Sequence, residues 1–358
     1  MSCIKPIAVP VNAKKIYIGN NQKLVNYVPC GKCYECKRQK TEDLMVRMYY
    51  DNSKYYIFDT LTYSDECVKT FKKLNPFYND DNIGDIMVLY YEDYQKFMKR
   101  LRKQVEKYDK DCEIKYIVSG EYGSNPRFTN RPHLHIIMMV NKDDIITPLL
   151  LSHLIKKCWT FGRTDGADDN GILYFNSQRV FRGFDAKKMT IGYICKYMTK
   201  TNYYEKILKD KIRFLVLSTC ARLNITASFE NIENEVKQLY KKYMQFTKWS
   251  QGIGKEYFKC DNIIENYEKN GYLQIRTDLK NKKYRLPLYY KRKLYYDKKG
   301  DENVLNDKGI KLQEISLKRN LEYYKSKLKI YGIKNDVEIN NIANYWVYYK
   351  DRFIIDYK

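Results

Sequence analysis

The apolar positions change period twice between residues 54 and 140. "KYYIFDTLTY" (54–63) is dense in aromatic and β-branched residues and reads as a strand. In "EDYQKFMKRLRKQVEKY" (92–108), Tyr94, Phe97, Met98, Leu101, Val105 and Tyr108 recur every three or four residues, predicting an amphipathic helix with Asp93 as its N-cap. The short period returns in "EIKYIVSGEYG" (113–123) and "HLHIIMMV" (133–140), separated by turn formers over 124–132. Two strands joined that way predict an antiparallel hairpin. Thr147 and Pro148 then look like the cap and first position of a helix reaching Trp159. A polar loop, a strand over 172–180 and a helix from Asp185 to about Lys200 complete the series. That order predicts an α+β fold, with helices packed on a mainly antiparallel central sheet.

Beyond about residue 205 the pattern becomes lysine- and tyrosine-rich, with helical segments over 228–246 and 311–332. The chain therefore reads as three segments: a cysteine-rich start (1–50), a core (51–205) and a basic, mainly helical C-terminal region (206–358) that offers a second DNA-contacting surface.

Charge narrows the partners. The formal net charge is +23, which favours a phosphate-rich polymer whose binding weakens steeply with salt. A gene rich in lysine, asparagine and tyrosine codons would also yield such a surface, and most of the 37 tyrosines need do nothing but pack. Apolar runs such as "ITPLLLSHLI" fall short of the roughly 18 to 20 residues a bilayer helix needs, and the N-terminus has no clear secretory signature. The expected setting is cytoplasm, with no membrane partner.

Only three histidines occur, and two of them form His133-Leu-His135. On a strand both imidazoles face the same way, while Leu134 and Ile136 face the opposite layer. Paired histidines on a solvated face are an equal reading of that motif alone. The hairpin alters the balance by bringing Glu121, at the end of the preceding strand, beside them. Two imidazoles and a carboxylate make an open three-ligand site for Mg²⁺, Mn²⁺ or a similar ion. No H-E-x-x-H motif is present.

Two further clusters carry chemistry. Cys30, Cys33 and Cys36 repeat as C-x2-C-x2-C, and Cys3 is available as a fourth thiolate. Structural zinc is the favoured reading, an iron–sulfur cluster would use the same ligands, and three reduced thiols in a basic loop is the plain alternative. On the helix begun at Asp185, Tyr193 and Tyr197 are four apart and share a face, with Cβ atoms roughly 6 Å from each other and Lys196 beside both. Helical tyrosines at this spacing usually pack. Near a divalent site, two phenols and an ammonium also suit attack on phosphorus.

Taken in order, "TLTY", "GEYG", "RPHLHI" and "GYICKYMTK" resemble the HUH superfamily of tyrosine endonucleases. "VPCGKCYEC" before them and "GIG" after them are similar to replication initiators of the gokushovirus branch of the Microviridae. The resemblance covers about residues 28 to 205 and is patchy beyond. It implies an HUH-like core, with His133 and His135 as metal ligands and Glu121 as the third. It also implies Tyr193 and Tyr197 as paired nucleophiles helped by Lys196, with Thr60, Thr62, Arg131 and Lys200 toward the DNA. The loop before the H-x-H strand is somewhat long for the family.

The implied activity is a nick in the viral strand at a replication origin, leaving a 5′-phosphotyrosine link and a 3′-hydroxyl that primes rolling-circle synthesis, followed by rejoining of the displaced strand. Implied partners are single-stranded and supercoiled viral DNA, a host helicase and a host DNA polymerase, in the host bacterial cytoplasm. No G-x-x-x-x-G-K-[ST] is present, so unwinding falls to the helicase. Competing readings are an HUH transposase or plasmid relaxase, and a non-catalytic single-stranded DNA-binding protein.

Overall fold

A computed structural model describes residues 7–10, 25–31, 33–80, 83–123, 130–164, 180–182, 203–276, 281–300, 302–330, 336–337 and 341. The helix expected from Asp185 to Lys200 lies outside these residues, as does most of the strand expected over 172–180. In chain order the elements begin with β1 (Ile7–Pro10), β2 (Val25–Val28), α1 (Tyr34–Tyr49), β3 (Tyr55–Thr62) and the single turn α2 (Phe71–Leu74). Next come α3 (Tyr91–Glu106), β4 (Ile114–Tyr122), β5 (Pro132–Val140), α4 (Pro148–Cys158) and β6 (Val180–Arg182). They continue with α5 (Tyr203–Arg222), α6 (Phe229–Tyr243), β7 (Phe246–Trp249), α7 (Asp261–Asn270), β8 (Leu273–Arg276) and β9 (Asn281–Tyr284). The last are α8 (Leu288–Tyr295), β10 (Tyr296–Lys299), β11 (Glu302–Leu305) and α9 (Asp307–Ile330). The fold is α+β. Among the described residues no helix is long and apolar enough to cross a membrane.

Two compact units emerge, Asp51–Gly254 and a second built from Met1–Tyr50 with Lys255–Lys358. These cuts differ from the three consecutive segments read along the sequence, because α5, α6 and β7 pack within the first unit.

In that first unit five strands form one antiparallel sheet in the order β6-β3-β5-β4-β7. Alternation divides its side chains between two faces. Leu61, Val118, Leu134 and Ile136 lie on one face and join a core with Tyr94, Phe97, Met98, Leu101 and Val105 of α3. Leu151, Leu154 and Ile155 of α4, Leu208, Ile212 and Leu215 of α5, and Val236 and Leu239 of α6 join the same core. Thr147 caps α4 as expected, its hydroxyl accepting from the Leu150 amide at 3.2 Å, with Pro148 in the first turn.

Asp93 is not the cap of α3. Tyr90 holds that position, and Asp93 is buried in the first turn because it lies four residues before Phe97 on the same inward stripe. Tyr108 follows the same spacing but falls past the helix end and is exposed. The segment after residue 205 contains more strand than its helical pattern suggested: β7 extends the central sheet, and β8–β9 and β10–β11 form hairpins.

Close packing of β4 between β5 and β7 leaves no room at Gly120. A Cβ there would lie 2.7 Å from the Phe246 ring and 3.2 Å from Leu134 Cδ2. Phe246 is itself held edge-on by the Tyr91 ring, with centroids 5.0 Å apart. Gly120→Ala is therefore expected to destabilise the protein by about 1–3 kcal/mol, the range for overpacking a filled site. Thermal melting checks it; an unchanged midpoint would show that Phe246 yields freely.

The second unit has its own core, rich in tyrosine. Val46 of α1 joins Tyr257, Tyr267, Leu273, Ile275, Leu286, Tyr290 and Tyr295. The Tyr257 and Tyr290 rings stack at 4.1 Å. Arg285 donates to Asp43 Oδ1 at 2.9 Å, tying α1 to the later part of the chain.

Candidate metal centre

The centre lies where burial of the sheet gives way at one end. In the register of β4 and β5, Glu121 is directly opposite His133 and Ser119 opposite His135. Across the other edge of β5, Thr60 faces His135 and Thr62 faces His133. Directly paired residues share a face, so these side chains all project from the side opposite the α3 core. Glu121, His135 and Thr60 are buried, whereas the His133 side chain retains 21% exposure.

Glu121 Oε1 receives both imidazoles, His133 Nε2 at 3.0 Å and His135 Nε2 at 3.1 Å. The rings are nearly perpendicular, with centroids 4.9 Å apart. Burial alone would push the Glu121 carboxyl upward, but its contacts with His133 and His135 outweigh that and lower it to about 2. The carboxylate is therefore ionised throughout the neutral range.

The outer ring nitrogens are also held. His133 Nδ1 lies 3.1 Å from the Arg131 carbonyl, and His135 Nδ1 lies 3.1 Å from Thr60 Oγ1. Because a carbonyl only accepts, His133 Nδ1 carries the proton. Its Nε2 then faces an ionised oxygen that also only accepts, an arrangement satisfied by a second ring proton or by a cation taking that proton's place. The three ligand atoms all lie within 4.8 Å of one another. Two nitrogens and a carboxylate so placed fit a divalent ion held on one side and open on the other.

Other expected residues take more varied places. Thr62 donates its hydroxyl to the Arg163 carbonyl at 3.2 Å, while its own carbonyl accepts from Trp159 Nε1 at 2.8 Å. Arg131 turns its guanidinium to the Tyr63 carbonyl, at 2.8 Å from one terminal nitrogen, and to the Asp65 carboxylate. Tyr193, Lys196, Tyr197, Lys200 and Cys3 lie outside the described residues. Cys30, Cys33 and Cys36 do come together, in the other unit.

Two neighbours went unmarked in the sequence. Phe58 stacks on His135 with centroids 5.8 Å apart and planes 18° from parallel. It lies two residues before Thr60, so strand alternation alone could have placed it here. Thr247 of β7 meets Ser119, its hydroxyl 3.3 Å from Ser119 Oγ, and no local pattern links residues so distant in the chain.

Residues 56–202 match the family model for the replication-associated protein ORF2. That stretch holds β4, β5 and nearly all of β3, and with them every member of the Glu121, His133 and His135 cluster. Replication-associated protein ORF4 of Chlamydia phage 1 is 28% identical over 162 residues. The likeness to Microviridae-type replication initiators is shown. The aligned part covers 41% of this chain and 36% of that protein, so the chain spans about a third of the length of the curated relative it matches. No solved structure matches the chain.

Proposed function

We propose that the chain initiates phage DNA replication by cutting one DNA strand at an HUH-type centre. The observation that carries this reading is the meeting of His133 and His135 on Glu121 Oε1, within the segment that resembles replication-associated proteins. Glu121, His133 and His135 would hold a divalent ion, which supplies polarisation of the scissile phosphate. The mixed nitrogen and oxygen donors suit Mn²⁺ better than Mg²⁺, which prefers oxygen ligands.

The chain's own residues then do the following. Arg131, through its backbone carbonyl, and Thr60, through its hydroxyl, fix the two imidazole planes. One of Tyr193 and Tyr197 attacks phosphorus through its phenolic oxygen; an Oη–P bond forms and the P–O3′ bond breaks. The phenolic proton passes to solvent and the departing 3′ oxygen takes one up, leaving a 3′-hydroxyl. Lys196 offsets the negative charge that develops on the phosphate. The second tyrosine cuts the regenerated origin after one round, and the freed 3′-hydroxyl attacks the first phosphotyrosine to close a circle. Each exchange replaces one phosphodiester with another, so no nucleotide hydrolysis is needed. The 3′-hydroxyl would prime a host polymerase, with a host helicase opening the duplex. The +23 charge supports DNA retention, and binding should fall as salt rises.

The test is incubation of supercoiled phage DNA with the protein and Mn²⁺. A nicked circle with protein covalently attached at the 5′ end is expected. Intact supercoils with protein merely bound would favour a non-catalytic DNA-binding protein.

A smaller effect isolates the Thr60 contact. Thr60→Val keeps the side chain's shape but removes the hydroxyl against His135 Nδ1, and orienting partners of this kind are worth about 10- to 100-fold in metal affinity or activity. A shift of that size in the Mn²⁺ dependence of nicking is expected, with thermal stability nearly constant. An unchanged dependence would show that His135 is oriented by something else.

A further inference from the structure

The cysteine cluster belongs to the unit that does not carry the histidines, and its geometry can be read without reference to the cutting reaction. Cys30, Cys33 and Cys36 place their sulfur atoms within 4.8 Å of one another, with Cys30 Sγ and Cys36 Sγ 4.0 Å apart. A disulfide needs about 2.05 Å between sulfurs, and these are not bonded. A Zn–S distance of about 2.3 Å instead sets tetrahedral sulfurs about 3.8 Å apart.

Local structure favours the thiolate form. The turn after Cys30 passes through Gly31 at φ +72°, a left-handed conformation that residues with a Cβ seldom adopt. That turn brings the Cys33 amide to donate to Cys30 Sγ at 3.3 Å, a bond that strengthens when sulfur is charged. Cys33 is the N-cap of α1, and Cys36 is buried in its first turn, so both lie at the positive end of a 16-residue helix. Lys40 donates to the Gly31 carbonyl at 3.4 Å and holds the turn against the helix.

We propose that Cys30, Cys33 and Cys36 bind a structural zinc ion that pins the turn to the first turn of α1. One tetrahedral position remains for a further donor. The ion's role is architectural: α1 contributes Val46 to the tyrosine core of its unit, and fixing the start of the helix orders that contribution.

The full-length chain, purified under reducing conditions and passed through a weak chelating resin, provides the test. About one zinc per chain is expected to remain and to be released by a mercurial thiol reagent. Exchange for Co²⁺ should produce sulfur-to-metal charge-transfer absorption. That absorption is expected to survive His133→Gln with His135→Gln, which keeps it distinct from the histidine centre, and to fall by about a quarter to a third or more in Cys33→Ser. A second readout needs no substitution: alkylation of Cys30, Cys33 and Cys36, mapped by peptide mass spectrometry, should be at least about tenfold slower with metal than after strong chelation. Absence of retained metal, iron with labile sulfide in place of zinc, or labelling unaffected by chelation would each overturn the assignment.

Discussion

His133→Gln combined with His135→Gln is expected to slow Mn²⁺-dependent nicking by more than about 100-fold while leaving DNA retention intact. The lower bound follows from the cost of losing a partner that merely orients a ligand, about 10- to 100-fold, since removing the ligands themselves must cost more. Glutamine is chosen over alanine for a physical reason. Glu121 is buried and ionised against both rings, and two alanines would leave that charge without partners, which typically costs about 3–5 kcal/mol. Each glutamine amide can still donate to Glu121 Oε1, but an amide nitrogen has no lone pair for a cation. Conversion of supercoiled to open circular DNA measures the effect, and filter binding across a salt series measures retention. Nicking within a few-fold of the unsubstituted chain would remove these histidines from the reaction.

Much of this centre was legible from short-range pattern. Strand alternation set His133 and His135 on one face, and the hairpin made Glu121 their neighbour because the turn joins the end of β4 to the start of β5. The observed register pairs Glu121 with His133 directly, although the connecting loop is longer than a tight turn. Thr60 was expected near the site, yet its specific partner depended on which residue of β5 lay opposite, a fact of register between strands 75 positions apart. Thr247 was invisible for the same reason, carried in by a four-residue edge strand too short to announce itself.

The misread helix start shows the opposite error. Asp93 has the chemistry of a cap, but a cap must lie at the end of the helix, and the apolar stripe through Tyr94 and Phe97 extends the helix back to Tyr91. Periodicity there outweighs a single residue's preference. Beyond residue 205, lysine and tyrosine at mixed spacings suggested helices alone, whereas the hairpins β8–β9 and β10–β11 consist of four-residue strands. Their tyrosines pack: Tyr257, Tyr267, Tyr290 and Tyr295 are all buried. The abundance of tyrosine thus serves a core, and stacking on unpaired bases is not needed to explain it.

Tyr193→Phe combined with Tyr197→Phe is expected to abolish the covalent protein–DNA adduct completely while preserving affinity for DNA. Phenylalanine keeps the ring and loses only the hydroxyl, so packing and charge are conserved, and the sole atom removed from each side chain is the one assigned to attack phosphorus. Water could still cut the strand in the double variant, but such a cut leaves no protein on the 5′ end, which separates loss of the nucleophile from loss of the centre. The single variants divide the two roles. The variant that lacks the first attacker should form little adduct, whereas the other should form the adduct once and fail to release a closed circle. Denaturing gels of labelled oligonucleotide resolve adduct from free product, and peptide mass spectrometry of the unsubstituted chain names the attached tyrosine. A persistent adduct in the double variant would assign the attack to another hydroxyl and, with the histidine result standing, would confine the error to the nucleophile.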